Sequence, residues 1–294
     1  HALLRDLIKT YPDLDGIRVD WPEYPPYFFD VMFFDFCDHA KKAAKELDFD
    51  FDRMQSQTLA FYKKLHGELT NDDLEACLAG DGGRYRPTHL LLIQPGIADL
   101  LRFKAPLVER MLKGCRKVMD DAGAKKMELM PNAFPPPWTL VSGMDFSRAA
   151  PHVSAFSCKL YTMHWPMMLR FYGDQLLKAN PKLSVKLLAK VLTRWLDIAD
   201  NDGPESIKKY KYPGPNEAHP VGDQAMTRKI VQAQTAAGKT PVYTLAHGYG
   251  PMDDYTRRLK VAVKASQHGF WVNRYAYLTN EKIKMIGKVA KEVR

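Results

Sequence analysis

The chain has 294 residues, 46% of them hydrophobic and 26% charged, which is typical of a globular protein with a substantial core. Its 43 Lys and Arg residues outnumber its 34 Asp and Glu residues and give a formal net charge of +9. Because the basic residues are interleaved with acidic ones along helical segments, nucleic acid is not an expected partner. No apolar run approaches the roughly 20 residues that cross a bilayer, so no membrane span is expected.

The N-terminal segment lacks the apolar core of a signal peptide, so we expect a cytoplasmic protein. The segment HALLRDLIKT (1–10) begins without a methionine and has the pattern of the middle of a helix. The chain is therefore expected to be a fragment or a processed form, and export of the protein is not excluded. The four cysteines are far apart and include no CxxC pair, so neither a zinc site nor a disulfide framework is predicted.

Short apolar runs recur along the chain, each followed by a loop rich in Pro, Gly and aromatic residues and then by an amphipathic helix. The first run is DGIRVDW (15–21), and a helix is predicted over 28–47. A stripe of apolar residues at helical spacing predicts a second helix over 97–122, with Gly123 as its C-cap.

The same unit continues to the C-terminus. Strands are predicted over 126–132 and 155–165, then a helical region from about Met167 to Asp200 and a polar loop over 201–222. Two further strands are predicted over 240–250 and 269–278, each followed by a helix. Alternating strands and helices predict a parallel sheet whose strands are covered by helices.

These are five strands, whereas a closed TIM-type barrel has eight. The run THLLLIQ (88–94) could supply another strand or begin a helix. An open sheet would leave two apolar edges, so about three strands are expected upstream of His1 or on another chain. The predicted fold class is α/β, a (β/α)8 barrel, with residues 1–294 forming the C-terminal portion of one domain and supplying roughly strands 4–8.

The first strand carries charged residues between apolar ones. Period-two alternation directs Ile17, Val19 and Trp21 toward the helices, and Arg18 and Asp20 toward the barrel interior. Buried charges are costly unless they are paired, so we expect an Arg18–Asp20 ion pair. That pair could be purely structural, but in these barrels the C-terminal strand ends build the active site.

Glu23 follows in a loop stiffened by prolines, and it could be either a surface residue or a second functional carboxylate. Pairing would keep Asp20 ionised, while burial among aromatic rings would keep Glu23 protonated. One acid and one carboxylate are what glycoside hydrolysis requires. Asp20 is therefore predicted as nucleophile or base, Glu23 as general acid and Arg18 as the group that orients Asp20.

Aromatic and polar residues also end the other strands. Each of them alone is as often core packing as a ligand contact, but together they resemble a sugar-binding cleft. Glu128 is a third candidate carboxylate, early in its strand. The residues predicted to bind substrate are Trp21, Tyr24, Asn132, Phe134, Trp138, Lys159, Tyr161, His164, Trp165, His247, Tyr249, Asp253, Asn273 and Arg274. No short-spaced ligand pair such as HxH or HExxH is present, so no metal and no cofactor is predicted.

The segment DGIRVDW resembles the fourth-strand motif of α-amylase-like glycoside hydrolases, with Arg18 and Asp20 at the positions of the supporting arginine and the nucleophile. It also looks like the DGxxxDW segment of chitinase-type barrels, in which Glu23 would stand one residue after the proton donor. The motifs DGIRVDWPEY, PNAFPPPWTLVSGMDF, KLYTMHWPMM, AHGYGP and NRYAYL together are similar to hypothetical glycoside hydrolase-like barrel proteins, found mostly in bacteria. The amylase His-Asp pair is not matched, since Gly248 follows His247.

The predicted function is a glycoside hydrolase-like enzyme that cleaves a glycosidic bond, with an oligosaccharide or glycoside as its partner. A separate N-terminal barrel segment is a possible second partner. One alternative is a catalytically silent barrel that only binds carbohydrate. The other is a barrel lyase or isomerase in which Lys159 acts as base or forms a Schiff base.

Overall fold

The strands of the protein form one parallel sheet. In the computed structural model, which describes residues 1–79 and 95–292, the strand order is β1-β2-β3-β4-β5 and the sheet curls into a half-barrel. The strands are β1 (Gly16–Asp20), β2 (Glu128–Ala133), β3 (Phe156–Leu160), β4 (Val242–His247) and β5 (Phe270–Asn273). The predicted α/β class and parallel sheet are confirmed. The segment 88–94 lies outside the described residues.

Helices precede, connect and follow the strands. The α-helices are α1 (Ala2–Thr10), α2 (Asp38–Glu46), α3 (Phe51–Leu65), α4 (Asn71–Leu78), α5 (Pro95–Asp121), α6 (Thr139–Ser142), α7 (Phe146–Ala149), α8 (His164–Ala179), α9 (Val185–Trp195), α10 (Asp223–Ala237), α11 (Met252–Ala265) and α12 (Asn280–Glu292). Short 3-10 helices span Asp30–Phe33, Ala150–His152, Ile207–Lys209 and Tyr275–Tyr277. None of the helices in the described ranges has the length and apolar character that crossing a membrane requires.

The end of α5 follows the sequence prediction closely. Gly123 has a φ of +82°, its N–H donates to the carbonyl of Asp120 over 3.1 Å, and the N–H of Ala124 donates to the carbonyl of Met119 over 2.9 Å. These two bonds form a Schellman motif, in which glycine adopts the left-handed conformation without a steric penalty. The predicted C-cap is therefore confirmed.

Two predicted helices are too long. The region from Met167 to Asp200 is two helices, because Pro181 disfavours a helical backbone at the residue before it, where α8 has ended. A new helix then begins at the Ser184 cap, whose side chain accepts from the N–H of Leu187 over 3.3 Å. The predicted helix over 28–47 is a 3-10 turn followed by α2, which begins only at Asp38.

The strand register divides the sheet into two faces. Arg18 pairs with Met130 and Asp20 with Asn132, and paired residues of parallel strands point to the same side. We call one side the concave face; it carries Arg18, Asp20, Met130, Asn132, Ser157, Lys159, Tyr243, Leu245, His247, Trp271 and Asn273. The other face carries the apolar set that packs on helices, where Ile17 and Val19 join a cluster around Leu129. The predicted direction of Arg18 and Asp20 is confirmed.

Trp21 departs from the predicted alternation. β1 ends at Asp20, and Trp21 has a left-handed φ of 57°, which breaks the period of two. Its ring is 46% exposed and lies 5.1 Å from the ring of Tyr27 and 6.1 Å from that of Phe134, measured between centroids. Trp21 therefore does not face the helices with Ile17 and Val19.

Tyr275 departs in the same way. Period-two alternation over the predicted strand 269–278 directs Tyr275 to the same face as Asn273, but β5 ends at Asn273 and Tyr275 begins a 3-10 turn. Its side chain is 80% exposed.

The two edge strands of the half-barrel are linked by side chains. The guanidinium carbon of Arg18 on β1 lies 5.0 Å from the ring centroid of Trp271 on β5. This cation–π contact is possible only because the sheet curls, since three strands lie between β1 and β5.

Gly143, which ends α6, provides a test of the packing beside α5. Its φ is +78°, and a Cβ added there would lie 2.7 Å from the Cβ of Lys104. We expect Gly143→Ala to lower the free energy of unfolding by about 3 kcal/mol, through backbone strain and overpacking together. Gly123→Ala is the matched control, because φ is +82° there but nothing lies within 4 Å. Urea unfolding followed by circular dichroism measures both, and equal losses would contradict the packing described.

Candidate functional site

The candidate site lies where the C-terminal ends of the parallel strands meet, which is where barrel enzymes carry their chemistry. We call this end of the concave face, with its adjoining loops, the mouth. Its side chains are Asp20, Trp21, Tyr27, Asn132, Phe134, Lys159, Tyr161, His164, Tyr212, His247, Tyr249, Asn273, Arg274 and Tyr277.

An ion pair between β3 and β1 lies at the centre of the mouth. The Nζ of Lys159 is 2.8 Å from Oδ1 of Asp20, with side-chain exposures of 1% and 64%. The ammonium also lies 5.3 Å from the ring centroid of Trp21 and 4.9 Å from that of Phe134. Burial lowers the pKa of Lys159, and the neighbouring carboxylate of Asp20 opposes that shift. Asp20 thus presents an oxygen to solvent while a buried cation holds it in place.

Arg18 does not form the predicted ion pair with Asp20. Its Nη2 donates to Oδ1 of Asn132 over 2.7 Å and to Oγ of Ser157 over 3.0 Å. Asn132 in turn donates from Nδ2 to Oδ1 of Asp20 over 3.3 Å. Arg18 therefore acts on Asp20 through Asn132, because Lys159 occupies the position beside the carboxylate that was expected for Arg18.

Glu23 has a very different environment from Asp20. It is 7% exposed, and its Oε1 accepts from the N–H of Phe134 over 2.7 Å while Oε2 lies 2.5 Å from Oγ of Ser142. Burial raises the pKa of Glu23 to about 7, against the opposing effects of these two hydrogen bonds and of the charge of Lys159. The two carboxyl groups thus differ in burial, and both oxygens of Glu23 are engaged inside the fold.

Two tyrosines connect the strands across the mouth. The hydroxyl of Tyr27 lies 2.9 Å from Nδ1 of His164, and the hydroxyl of Tyr161 accepts from Nδ2 of Asn273 over 2.6 Å. The ring of Tyr161 also meets those of His164 and His247 edge-on, with centroids 5.5 and 5.2 Å apart. Through Tyr161, these contacts connect the segment after the third strand with the ends of the fourth and fifth strands.

A second row of rings lies farther along the loops. Tyr277 is 5.5 Å from His247 and 5.3 Å from Tyr249, and Tyr249 is 5.5 Å from Tyr212 between ring centroids. Sequence reasoning missed Tyr212 and Tyr277. Tyr212 lies in the polar loop predicted over 201–222, where no periodicity assigns a direction. Tyr277 lies in the strand predicted over 269–278, but β5 ends at Asn273 and Tyr277 belongs to a 3-10 turn, so strand alternation does not apply to it.

The two histidines of the mouth are neutral near pH 7. Burial lowers the pKa of His164 to about 4, with further lowering by the charges of Lys159 and Arg274. Burial likewise lowers the pKa of His247 to about 3. Both rings therefore act as neutral hydrogen-bonding and stacking groups. Within residues 1–79 and 95–292, no group of three His, Cys, Asp or Glu side chains could hold a metal ion.

Several residues of the predicted substrate-binding set lie elsewhere. Trp138 and Trp165 are buried in the core, with ring centroids 5.6 Å apart and the ammonium of Lys229 over both rings. Tyr24 packs over the ammonium of Lys104, and Asp253 is exposed in the first turn of α11. The remaining members of that set are brought together at the mouth.

Glu128, the third candidate carboxylate, is exposed at the start of β2, where it pairs with Gly16. That is the opposite end of the strand from the mouth.

Buried lysines position the loops that carry these residues. The Nζ of Lys282 donates to the carbonyls of Gly248 and Gly250, each over 2.7 Å, in the loop after β4. It also donates to the carbonyl of Tyr277 over 3.3 Å, in the segment after β5. Carbonyl oxygens thus satisfy an ammonium that would otherwise be costly to bury.

Lys104 and Lys229 act in the same way around the first two strands. Lys104 donates to the carbonyls of Met32 and Val141 over 2.6 and 3.0 Å, which links the loops after β1 and β2. Lys229 donates to the carbonyl of Pro136 over 3.1 Å. Burial lowers the pKa of each lysine to about 7. Sequence reasoning missed these residues because lysines on amphipathic helices have the pattern of the solvated face.

Comparison of the chain with family models, with curated proteins and with solved structures finds no match in any of the three. The resemblance to glycoside hydrolase-like barrels therefore stays a prediction from the motifs.

The environment of Glu23 predicts how the stability of the protein depends on pH. Because the folded-state pKa of about 7 is above the ordinary 4.5, Glu23 binds its proton more tightly in the folded state. Below about pH 4.5 Glu23 is protonated in both the folded and the unfolded state, and its burial lowers the free energy of unfolding little. As pH rises through 7, burial of the ionised form lowers the free energy of unfolding by about 3 kcal/mol. Relative to Glu23→Gln, the wild-type protein should lose that amount of unfolding free energy between pH 4.5 and 8.

Urea unfolding at a series of pH values measures this difference. Glu68→Gln, at an exposed carboxylate, is the control and should change the unfolding free energy by no more than about 0.5 kcal/mol throughout. A wild-type minus Glu23→Gln difference that stays constant with pH would contradict the buried, proton-retaining state of Glu23.

Proposed function

We propose that the protein is a glycoside hydrolase-like enzyme whose active site is the mouth. The observation that carries the proposal is the pair of unlike carboxyl groups on β1 and its following loop. Asp20 is exposed and paired with Lys159, while burial raises the pKa of Glu23 to about 7. A carboxylate that can serve as nucleophile or base, together with a carboxyl group whose pKa is raised, is the combination that glycosidic cleavage uses.

In this proposal Asp20 is the carboxylate that acts on the anomeric carbon, either directly as nucleophile or through a water molecule as base. Lys159 and Asn132 hold it, and Arg18 fixes Asn132 from the other side. Asp20 is directly accessible to a substrate, because its side chain is 64% exposed.

Glu23 is the proposed general acid, with its proton going to the leaving glycosidic oxygen. At its pKa of about 7, roughly half of the molecules carry that proton near neutral pH. To reach a substrate, the carboxyl group must first turn away from Ser142 and from the N–H of Phe134, where both oxygens are held.

The aromatic rings support a carbohydrate as substrate. Trp21 presents a half-exposed side chain beside Tyr27 and Phe134, and it directly follows Asp20 in the sequence. Ring faces of this kind stack on the C–H surfaces of sugars, while amide and hydroxyl groups bind their hydroxyls.

The half-barrel fits a larger assembly. We propose that the five strands are the fourth to eighth of a (β/α)8 barrel, completed by further strands at the edges of β1 and β5. Supporting this, the concave face carries the polar layers and strand-end residues that an eight-stranded barrel would enclose.

A second candidate is a barrel that binds carbohydrate without cleaving it. It is favoured by the hydrogen bonds that engage both oxygens of Glu23 in the described structure, leaving neither oriented to donate a proton. A Schiff-base mechanism through Lys159 is less well supported, because the Asp20 carboxylate stabilises the ammonium over the neutral amine that such chemistry needs.

Asp20→Asn tests the proposal on a panel of oligosaccharides, with released reducing ends as the readout. Loss of the nucleophile or base should lower kcat at least a thousandfold. Because the change leaves the buried ammonium of Lys159 without its anion, the unfolding free energy should fall by about 3 kcal/mol, and circular dichroism at the assay temperature checks that the variant is still folded.

Asp121→Asn is the matched control, because it removes an exposed aspartate that is paired with Lys117 on α5. It should leave turnover unchanged. Wild-type rates in Asp20→Asn would end the catalytic assignment, and heat of binding without product in the wild-type protein would establish the second candidate.

A further inference from the structure

The mouth carries more positive than negative charge. Its cations are Lys159 and Arg274, and Arg18 lies deeper on the concave face. The exposed carboxylate of Asp20 is paired with Lys159, and that of Glu217, on the loop that carries Tyr212, is paired with Lys211. Glu23 lies behind Phe134, buried and hydrogen-bonded. Among the described residues, this leaves the two arginines without a carboxylate partner.

Arg18 satisfies only part of its hydrogen-bonding capacity. Both of its hydrogen bonds in the described structure use Nη2, and both acceptors, on Asn132 and Ser157, are neutral. The guanidinium lies over the ring of Trp271, on the concave face. A guanidinium has five N–H donors, so most of its donors stay free for a ligand.

Arg274 has fewer hydrogen-bonding partners in the described structure than Arg18. It directly follows Asn273 at the end of β5, is exposed, and makes no side-chain hydrogen bond or ion pair with any residue of 1–79 and 95–292. Its position at the mouth is fixed by Asn273, whose amide donates to the hydroxyl of Tyr161. Its charge contributes to the lowered pKa of His164 and of His247 and opposes the raised pKa of Tyr161, which places it within electrostatic reach of these rings.

Most arginines elsewhere in the described residues are paired with a carboxylate. Arg228 contacts both Asp197 and Asp200, and Arg257 contacts both Asp223 and Asp254. Arg5 on α1 is also unpaired, but among the described residues only the concave face and its mouth bring two unneutralised arginines to one site. An uncompensated positive potential in a cleft concentrates anionic ligands and speeds their association.

Resting on the proposed function, we propose that the saccharide recognised at the mouth is anionic and carries carboxylate or sulfate groups, with Arg274 as the residue that binds them. The planar guanidinium matches the two oxygens of such groups and binds them more strongly than it binds hydroxyls. The sugar rings stack on the aromatic side chains, and Arg18 supplies a second cation deeper on the concave face.

Titration calorimetry with three oligosaccharides of equal length tests the inference: a neutral one, one built of uronic acids and one bearing sulfate esters. We expect an anionic oligosaccharide to bind at least tenfold more tightly than the neutral one. The advantage should shrink severalfold between 50 and 500 mM salt, because screening weakens exposed charge interactions. Whichever anionic oligosaccharide binds more tightly identifies the charged group.

Arg274→Gln removes the proposed anchor. It should weaken binding of the anionic oligosaccharide about tenfold and change binding of the neutral one less than twofold. Arg5→Gln, at an exposed arginine on α1, is the control for the loss of one positive charge and should leave both affinities unchanged.

The binding results distinguish failure of the anionic substrate from failure of the proposed function. Equal or tighter binding of the neutral oligosaccharide, or equal losses for both ligands in Arg274→Gln, would overturn the anionic substrate while leaving the proposed function standing. If none of the three oligosaccharides binds to the wild-type protein, the proposed function falls and this inference falls with it.

Discussion

The buried ammonium of Lys159 is the constraint around which the rest of the mouth is organised. A cation at 1% exposure requires a nearby anion or polar contacts, and Asp20 supplies the anion from the neighbouring edge of the sheet. The rings of Trp21 and Phe134 cover its other sides. One charge thus fixes the carboxylate proposed to be catalytic, two of the surrounding aromatic side chains and the relative positions of β1 and β3.

The same solution recurs in the scaffold around the mouth. Lys104, Lys229 and Lys282 each extend from a helix and donate to backbone carbonyls of strand-end loops. Irregular loops expose carbonyl groups that regular structure would satisfy, and a buried cation can satisfy two or three of them at once. The helices of this protein therefore do more than cover the sheet, because their lysines determine where the loops of the mouth lie.

The sequence predicted the architecture well wherever local periodicity carries the information. The five strands, the parallel sheet and the direction of Arg18 and Asp20 follow from alternation of two residues, and the end of α5 follows from one glycine. Predictions failed where the deciding contact is distant in sequence. The partner of Asp20 is 139 residues away, and nothing near Arg18 shows that Lys159 takes its place.

Side-chain burial in irregular segments was the other source of error. Trp138 and Trp165 have the composition expected of a sugar-binding cleft, yet both pack in the core around a buried lysine. Trp21 shows the reverse, because a single left-handed residue turned an expected core side chain toward solvent. Neither direction is encoded in a short pattern.

The contacts of Lys282 have a consequence for how such a protein could diversify. One ammonium joins the backbone after β4 to the backbone after β5, so Tyr249 and Arg274 belong to segments that are tied to the same point. Lengthening either segment would pull carbonyls away from that point and disturb the other segment as well. The connection carrying Tyr212 does not contact Lys282, but the carbonyl of its Pro213 accepts from the hydroxyl of Tyr249 over 3.0 Å, so a third segment belongs to the same unit. Replacing side chains, rather than changing the length of a segment, is therefore the less disruptive route to a new ligand preference.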